Sequence, residues 1–409
     1  MPALLPPDWL ARARRQFQSA PRKLWPGFDP ARIPLLIFDG QATHLSGAAP
    51  QEPGWEAVEG GWAWPGRHPA LTANTAVTLP AGLVAAGVLA RDLDESDPRR
   101  LAALLVHEAF HVFQQAHPSP AWEANELDAL TYPRANLKVA HARAQEAQAL
   151  AEALQSSYGW EDAVRRALAW RAERFRYLVP EHVLFERRME TLEGLAHFVE
   201  TRLLGEMPRL DGVADAGADV REWAYRSGAA LAHLLSRGED AWQAEVTAGT
   251  PLDEVLRDRL GMAPLPSPTP ALVEAAGRAI LEAKTRLEAL LNTFRELSGP
   301  RLSLEAGVPL RVEGFDPLNL HVLPDGSVLH TRYLCLSAPG IELEVIGRQA
   351  LARGPGPLVV TGLEVAGLPG DLVSTLAAGT WRLNSAVLRV QAPVQFVTQD
   401  GGEGWHIRF

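Results

Sequence analysis

The sequence predicts an α+β protein with a mainly helical core, a mixed α/β lead-in and a C-terminal all-β sandwich or barrel. Three changes of pattern along the 409 residues carry this reading. Residues 1–98 are rich in Trp, Pro and Gly, with short apolar runs between turns. Residues 99–298 place apolar residues at helical spacing. Residues 299–409 break into short β-branched runs separated by Gly, Pro and Asp-Gly turns. These ranges are the expected domains: a segment packing on the core, the core itself, and an accessory β domain. A chain this long has ample material for more than one hydrophobic core.

In the first range, "IPLLIFDG" (33–40) and "NTAVTLPAG" (74–82) read as strands. The cluster Arg12, Arg14 and Arg15 reads as the solvated face of an N-terminal helix. The middle range gives helices in "PRANLKVAHARAQEAQALAEALQSSYG" (133–159), "WEDAVRRALAWRAERFRYLVP" (160–180) and "EHVLFERRMETLEGLAHFVETRLLG" (181–205). Two more follow in "VREWAYRSGAALAHLLSRG" (220–238) and "PALVEAAGRAILEAKTRLEALLNTFRELSG" (270–299). Gly159 and Pro180 punctuate the first two. The Pro-rich stretch 260–270 reads as a linker. Strands are expected in "LSLEAGVPLRVEG", "GSVLHTRYLCLS", "IELEVIGRQAL", "PLVVTGLEVAG", "TWRLNSAVLRVQAP" and "GWHIRF".

Hydrophobic residues make up 47% and charged residues 22%, a globular and not a disordered composition. The net charge is -10 and the basic residues are scattered, which argues against a nucleic-acid or anionic-membrane partner. The single cysteine, Cys335, excludes an intramolecular disulfide and a cysteine-based zinc finger. Its setting "RYLCLSA" suggests a buried, inert thiol. No window has the apolar length of a membrane span and the N-terminus has no apolar leader core, so a cytoplasmic location is expected. The 12 tryptophans are expected to pack, not to line a binding cleft. Oligomeric state leaves no signature.

The chemistry concentrates in "LAALLVHEAFHVFQQAHPSP" (101–120). His107 and His111 are four apart, so on a helix they share one face and each can offer a ring nitrogen to one zinc ion. Glu108 stands beside them, placed to take a proton from water. Chance produces H-E-x-x-H in a chain with this histidine content about one time in forty. Leu104, Leu105, Val106, Ala109, Phe110, Val112 and Phe113 surround the motif, so its ionisable groups are expected to be buried, where they need partners or a metal. The competing reading is two core histidines satisfied by carbonyls, with Glu108 paired to an arginine.

A catalytic zinc usually takes three protein ligands. His117 has the spacing of the metzincin pattern H-E-x-x-H-x-x-G-x-x-H, but Gln114 occupies the position of the turning glycine. In a continuing helix His117 points about 100° away from the midpoint of the other two, so a helix-end polar role is expected for it. The second candidate is "LEGLAHFVE" (192–200), which resembles the W-L-N-E-G-F-A-x-Y-x-E element of the M1 aminopeptidases within the gluzincin metallopeptidases. That resemblance implies Glu193 as third ligand. Gly194 suits a close approach of helices. Glu193, His197 and Glu200 stack at helical spacing, so Glu200 is placed to orient a histidine of the first helix, and Glu190 is the reserve ligand. The other reading of this element is a solvated charged face.

The likeness covers two short elements, about thirty residues. The segment between them is longer than in M1 enzymes, and no G-x-M-E-N element is present. A gluzincin-like zinc metallopeptidase with an inserted helical pair is the expectation, with Zn2+ as cofactor and a peptide or protein as substrate. Gluzincins use a later Tyr or His to stabilise the oxyanion; Tyr225 is the candidate, near Arg226 and His233, with Tyr132 as runner-up. No nucleotide-binding or serine-hydrolase motif is found. Two alternatives stand beside the peptidase: an inactive zinc-binding protein whose β domain binds a partner, and a zinc hydrolase of a non-peptide substrate.

Overall fold

The computed structural model describes residues 15–17, 24–90, 98–238, 242–316, 319–400 and 404–408. The expected basic face at Arg12 and Arg14 lies outside these residues, and Arg15 is exposed. Helix accounts for 43% and strand for 26%, in separate stretches, so the fold is α+β. The chain divides into two compact units, residues 1–125 with 136–277, and residues 126–135 with 278–409. The N-terminal strands thus share a unit with the helices up to residue 277, whereas most of the helix Pro270–Glu296, expected in the core at 99–298, falls in the second unit.

The first unit opens with strands β1 (Leu35–Phe38), β2 (Ala42–Ser46), β3 (Glu56–Val58), β4 (Gly61–Pro65), β5 (Thr75–Thr78) and β6 (Val84–Leu89). They form one sheet in the order β3-β4-β2-β1-β6-β5. Strand β1 runs parallel to β6 and antiparallel to β2, and all four of its residues are buried. Successive side chains of a strand point to opposite faces. Accordingly Leu35 and Ile37 join the large core with Leu101, Leu105 and Phe110, while Leu36 and Phe38 join a smaller one with Leu45, Val77 and Ala85.

Helix α1 (Pro98–Ala116) follows and lies in the large core. Its Phe110 meets Trp25 edge-on at a ring separation of 5.5 Å, and Trp25 meets Trp122 and Trp242 at 6.3 and 5.4 Å, so these tryptophans serve packing. Next come α2 (Leu137–Gln155), α3 (Trp160–Phe175) and α4 (Pro180–Met189), a five-residue π-turn at Glu190–Gly194, then α5 (Leu195–Leu204) and α6 (Val220–Leu235). Asn136 caps α2 by accepting from the amides of Lys138 and Val139. Pro180 opens α4 at a position where its missing N–H costs nothing. Gly205 ends α5 with a φ of 69°, the left-handed conformation that glycine adopts freely.

Helices α2, α3 and α4 enclose an ionic network almost out of reach of water. Glu146, Arg171, Arg174, Glu186 and Glu190 are each at most 2% exposed. Arg171 donates to Glu146 at 2.7 Å and, through two nitrogens, to Glu190 at 2.6 and 2.7 Å. Arg174 donates to Glu146 at 2.7 Å and to Glu186 at 2.5 Å. Trp223 Nε1 adds a bond to Glu186 and Ser227 Oγ one to Glu190. Burial alone would raise the Glu186 pKa, yet Arg174 outweighs it and holds the carboxyl at about 2.

In the second unit, twelve strands form one sheet in the order β14-β15-β16-β11-β10-β7-β13-β12-β9-β8, with β17 and β18 joined to it at β7. They run from β7 (Arg301–Phe315) through β8 (Leu320–Val322), β9 (Val328–His330), β10 (Tyr333–Ala338), β11 (Ile341–Ile346) and β12 (Gln349–Arg353). The remainder are β13 (Val359–Ala366), β14 (Ser374–Ala377), β15 (Thr380–Asn384), β16 (Leu388–Pro393), β17 (Val397–Asp400) and β18 (Gly404–Arg408). The fifteen-residue β7 pairs with β10, β13 and, in parallel, β18. Cys335 on β10 is half-buried, and burial with the nearby Glu344 pushes its thiol pKa up, away from the reactive thiolate. His330 on β9 is 1% exposed, and among the described residues neither of its ring nitrogens has a hydrogen-bond partner.

Two outcomes follow for stability. Replacing Arg174 with Met leaves Glu146 and Glu186 buried without their shared guanidinium, and urea unfolding should show a loss of about 3–5 kcal/mol. Burial holds His330 at a pKa of about 4, against 6.5 in the unfolded chain. The unfolded state therefore binds more protons between these values, and stability present above pH 6.5 is lost as the pH falls towards 4. His330→Leu should flatten that acid-side slope in urea titrations by up to about 3 kcal/mol.

Candidate metal centre

Helix α1 carries His107, Glu108 and His111, and the π-turn supplies Glu193. The two imidazole centroids are 5.0 Å apart. Nε2 of His107 is 3.5 Å and Nε2 of His111 is 3.2 Å from the same oxygen, Glu193 Oε2. One atom from each residue thus lies within 4.8 Å of the others, a group able to hold a metal ion. On its outer side, His107 Nδ1 is 3.3 Å from Glu200 Oε2, and His197 Nδ1 is 2.9 Å from the same oxygen. A carboxylate only accepts, so His107 carries a hydrogen on Nδ1, and in the neutral ring its Nε2 lone pair faces inward.

This geometry fits a small tetrahedral ion. Ligand atoms about 2.0–2.1 Å from such an ion lie roughly 3.3 Å from one another, the scale of the two nitrogen–oxygen distances. The same distances are long for charge-assisted hydrogen bonds, typically about 2.7–2.9 Å. Among the described residues, Glu193 Oε2 is buried and has no hydrogen-bond partner. The electrostatics also call for a cation. Burial opposes charge on His107, yet Glu193 and Glu200 outweigh it and lift its pKa to about 10. Against the same cost of burial, the histidines hold Glu200 at about 2 and Glu193 lower still. Without a metal, a proton on His107 supplies the positive charge.

The π-turn decides which acid faces the histidines. Residues three apart spread further around its wide i→i+5 turn than around an α-helix. Glu190, the reserve ligand of the sequence reading, therefore points to Arg171 and Ser227 and takes no part in the group around His107. Gly194 serves a close approach to α6, not to α1. A Cβ there would lie 2.6 Å from Gly228 Cα and 2.9 Å from the Ala224 carbonyl oxygen. In return, a Cβ on Gly228 would lie 2.4 Å from the Glu190 carbonyl oxygen.

That contact brings Tyr225 and Arg221 of α6 to the site. The Tyr225 ring stacks on His107 at 5.7 Å and 12°. Glu193 and Arg221 act on its hydroxyl in opposite directions, the carboxylate raising its pKa and the guanidinium lowering it. Arg221 Nη2 is 3.4 Å from Glu193 Oε1. Burial and the adjacent Glu193 push the Tyr225 pKa far above its ordinary value, so the phenol stays a neutral donor. Glu108 is 5% exposed, and among the described residues its Oε2 has no hydrogen-bond partner. Burial raises its pKa despite the pull of His107 and His111.

Other sequence candidates sit elsewhere. His117 is exposed at the end of α1, where its Nδ1 lies 2.9 Å from the Phe113 carbonyl and its ring lies against Phe113. Arg226 pairs with Asp215 and Glu222, and His233 is buried 2.8 Å from Thr201 Oγ1. Tyr132 belongs to the second unit. Sequence reasoning missed Arg221 and gave Gln114 no part beyond a missing glycine. Gln114 stands one turn after His111, a spacing that could have marked it.

The glycine crossing yields a stability test. Gly194→Ala forces the π-turn away from α6, with an expected cost of about 1–3 kcal/mol in urea unfolding. Comparison with protein-family models, curated proteins and solved structures gives no match for this chain.

Proposed function

We propose that the protein is a zinc-dependent hydrolase of peptide bonds. His107, His111 and Glu193 hold the ion, Glu108 is the general base, and Tyr225 stabilises the developing oxyanion. The observation that carries this reading is the convergence of His107 Nε2, His111 Nε2 and the buried Glu193 Oε2, with a buried carboxylate from the residue after His107 on the same helix. Two histidines and one carboxylate serve zinc hydrolases and non-haem iron oxygenases alike. Glu108 favours hydrolysis, because oxygen activation has no need of a protein base at that position.

Zinc, when bound, supplies Lewis acidity towards a carbonyl oxygen and towards water. Glu108 takes a proton as the water oxygen forms its bond to the carbonyl carbon. As the carbon–nitrogen bond breaks, the same carboxyl returns that proton to the leaving nitrogen. Burial, by raising the Glu108 pKa, makes it a stronger base for the first step. The neutral Tyr225 hydroxyl donates to the carbonyl oxygen as charge builds there. Glu200 keeps the His107 hydrogen on Nδ1 throughout.

The test combines metal analysis with cleavage of a mixed peptide library. Wild type should hold one zinc and cleave peptides. Glu108→Gln should keep zinc and lose cleavage by about 10²–10⁴-fold. Tyr225→Phe should lower kcat by about 10²-fold with zinc retained. Glu193→Ala should lose zinc, and His117→Ala should change neither property. Wild type without zinc sinks the proposal. Zinc with no peptide cleavage moves the reading to a non-peptide substrate or an inactive zinc protein.

A further inference from the structure

Gln114 is 2% exposed and spends its side chain on the two halves of the metal centre. Its Nε2 donates to the carbonyl of Leu192 at 2.9 Å and, more weakly, to that of Thr191 at 3.4 Å. Both carbonyls belong to the π-turn that carries Glu193. Its Oε1 lies 2.8 Å from His111 Nδ1.

The orientation of this amide is forced. Backbone carbonyls only accept, so the NH2 end must face Leu192 and Thr191 and the oxygen must face His111. An amide oxygen also only accepts, so His111 must carry its hydrogen on Nδ1. In the neutral ring its Nε2 then holds a lone pair on the side of Glu193 Oε2, 3.2 Å away. We infer that Gln114 is a positioning residue with two tasks: it sets the metal-binding tautomer of His111, and it clamps α1 to the π-turn so that both sides of the centre share one register. His107 takes its tautomer from a carboxylate, Glu200, whereas His111 takes it from a neutral amide. The clamp therefore adds no charge to a centre already ringed by Glu108, Glu193 and Glu200.

The metal arm of the test rests on the proposed function; the tautomer arm does not. Gln114→Met keeps the volume and removes all three contacts, whereas Gln114→Glu keeps an acceptor for His111 and sets a carboxylate against two carbonyls. Zinc affinity is measured by competition with a chelator, and the His111 tautomer by long-range nitrogen–proton NMR of the metal-free protein. Gln114→Met should weaken zinc binding by about 10–100-fold and shift His111 away from the Nδ1–H form. Gln114→Glu should keep that form and still weaken zinc binding. Wild-type affinity with an unchanged tautomer in Gln114→Met overturns the inference. Should that variant fail to fold, wild-type affinity in Gln114→Glu overturns the clamp. If wild type binds no zinc, the proposed function fails, while the tautomer comparison still decides the role of Gln114.

Discussion

The two hydrogen bonds from Arg171 to Glu190, made where water is excluded, set the geometry on which the candidate centre depends. They hold the first residue of the π-turn to α3. Glu193, at the fourth position of that turn, is left to face α1. A buried ion pair rarely adds much net stability, because desolvation consumes the Coulombic gain. Its consequence here is one of direction: two acids three residues apart go to different partners. The Gly194–Gly228 crossing then locks the turn against α6 and brings Tyr225 and Arg221 with it.

The metal group and the ionic network treat burial in opposite ways. In the network, two guanidiniums meet three carboxylates, and neutral donors from Trp223 and Ser227 complete the coordination. In the metal group, three carboxylates surround His107 and His111, and among the described residues Arg221 is the fixed cation paired with Glu193. The first arrangement gives every carboxylate a guanidinium donor, and burial raises the pKa of Glu190 against the one excess negative charge. The second lacks positive charge, and a proton or a metal ion answers that need.

Much of the architecture could be read from the chain. The period of apolar residues marked the long helices, and turn chemistry marked the β-rich C-terminal region. The four-residue spacing placed His107 and His111 on one face with no knowledge of the fold. What periodicity cannot express is which of several acids on one helical run turns inward. Glu190 and Glu193 look equivalent under a 3.6-residue repeat, and a single π-turn separates them. Nothing in the helical period singles out Arg171 and Arg174, because their partners lie on other elements. Gln114 was hidden for a related reason. Its meaning rests on backbone carbonyls roughly eighty positions later in the chain, and backbone has no sequence signature.

The α2–α3 hairpin contributes Arg171, Arg174 and Glu146 to the buried network, and Glu186 and Glu190 come from the segment that follows. On its own the hairpin presents two positive groups to one negative group, on a face later closed to water. Its helices make contacts local in the chain, the kind that form early in folding. In chain order this cationic socket therefore precedes its acidic plug. The plug arrives with α4 and the π-turn, and its docking sets Glu193 opposite histidines translated long before. A chain cut short of residue 193 has the histidine pair but lacks the carboxylate that completes the group able to hold a metal ion.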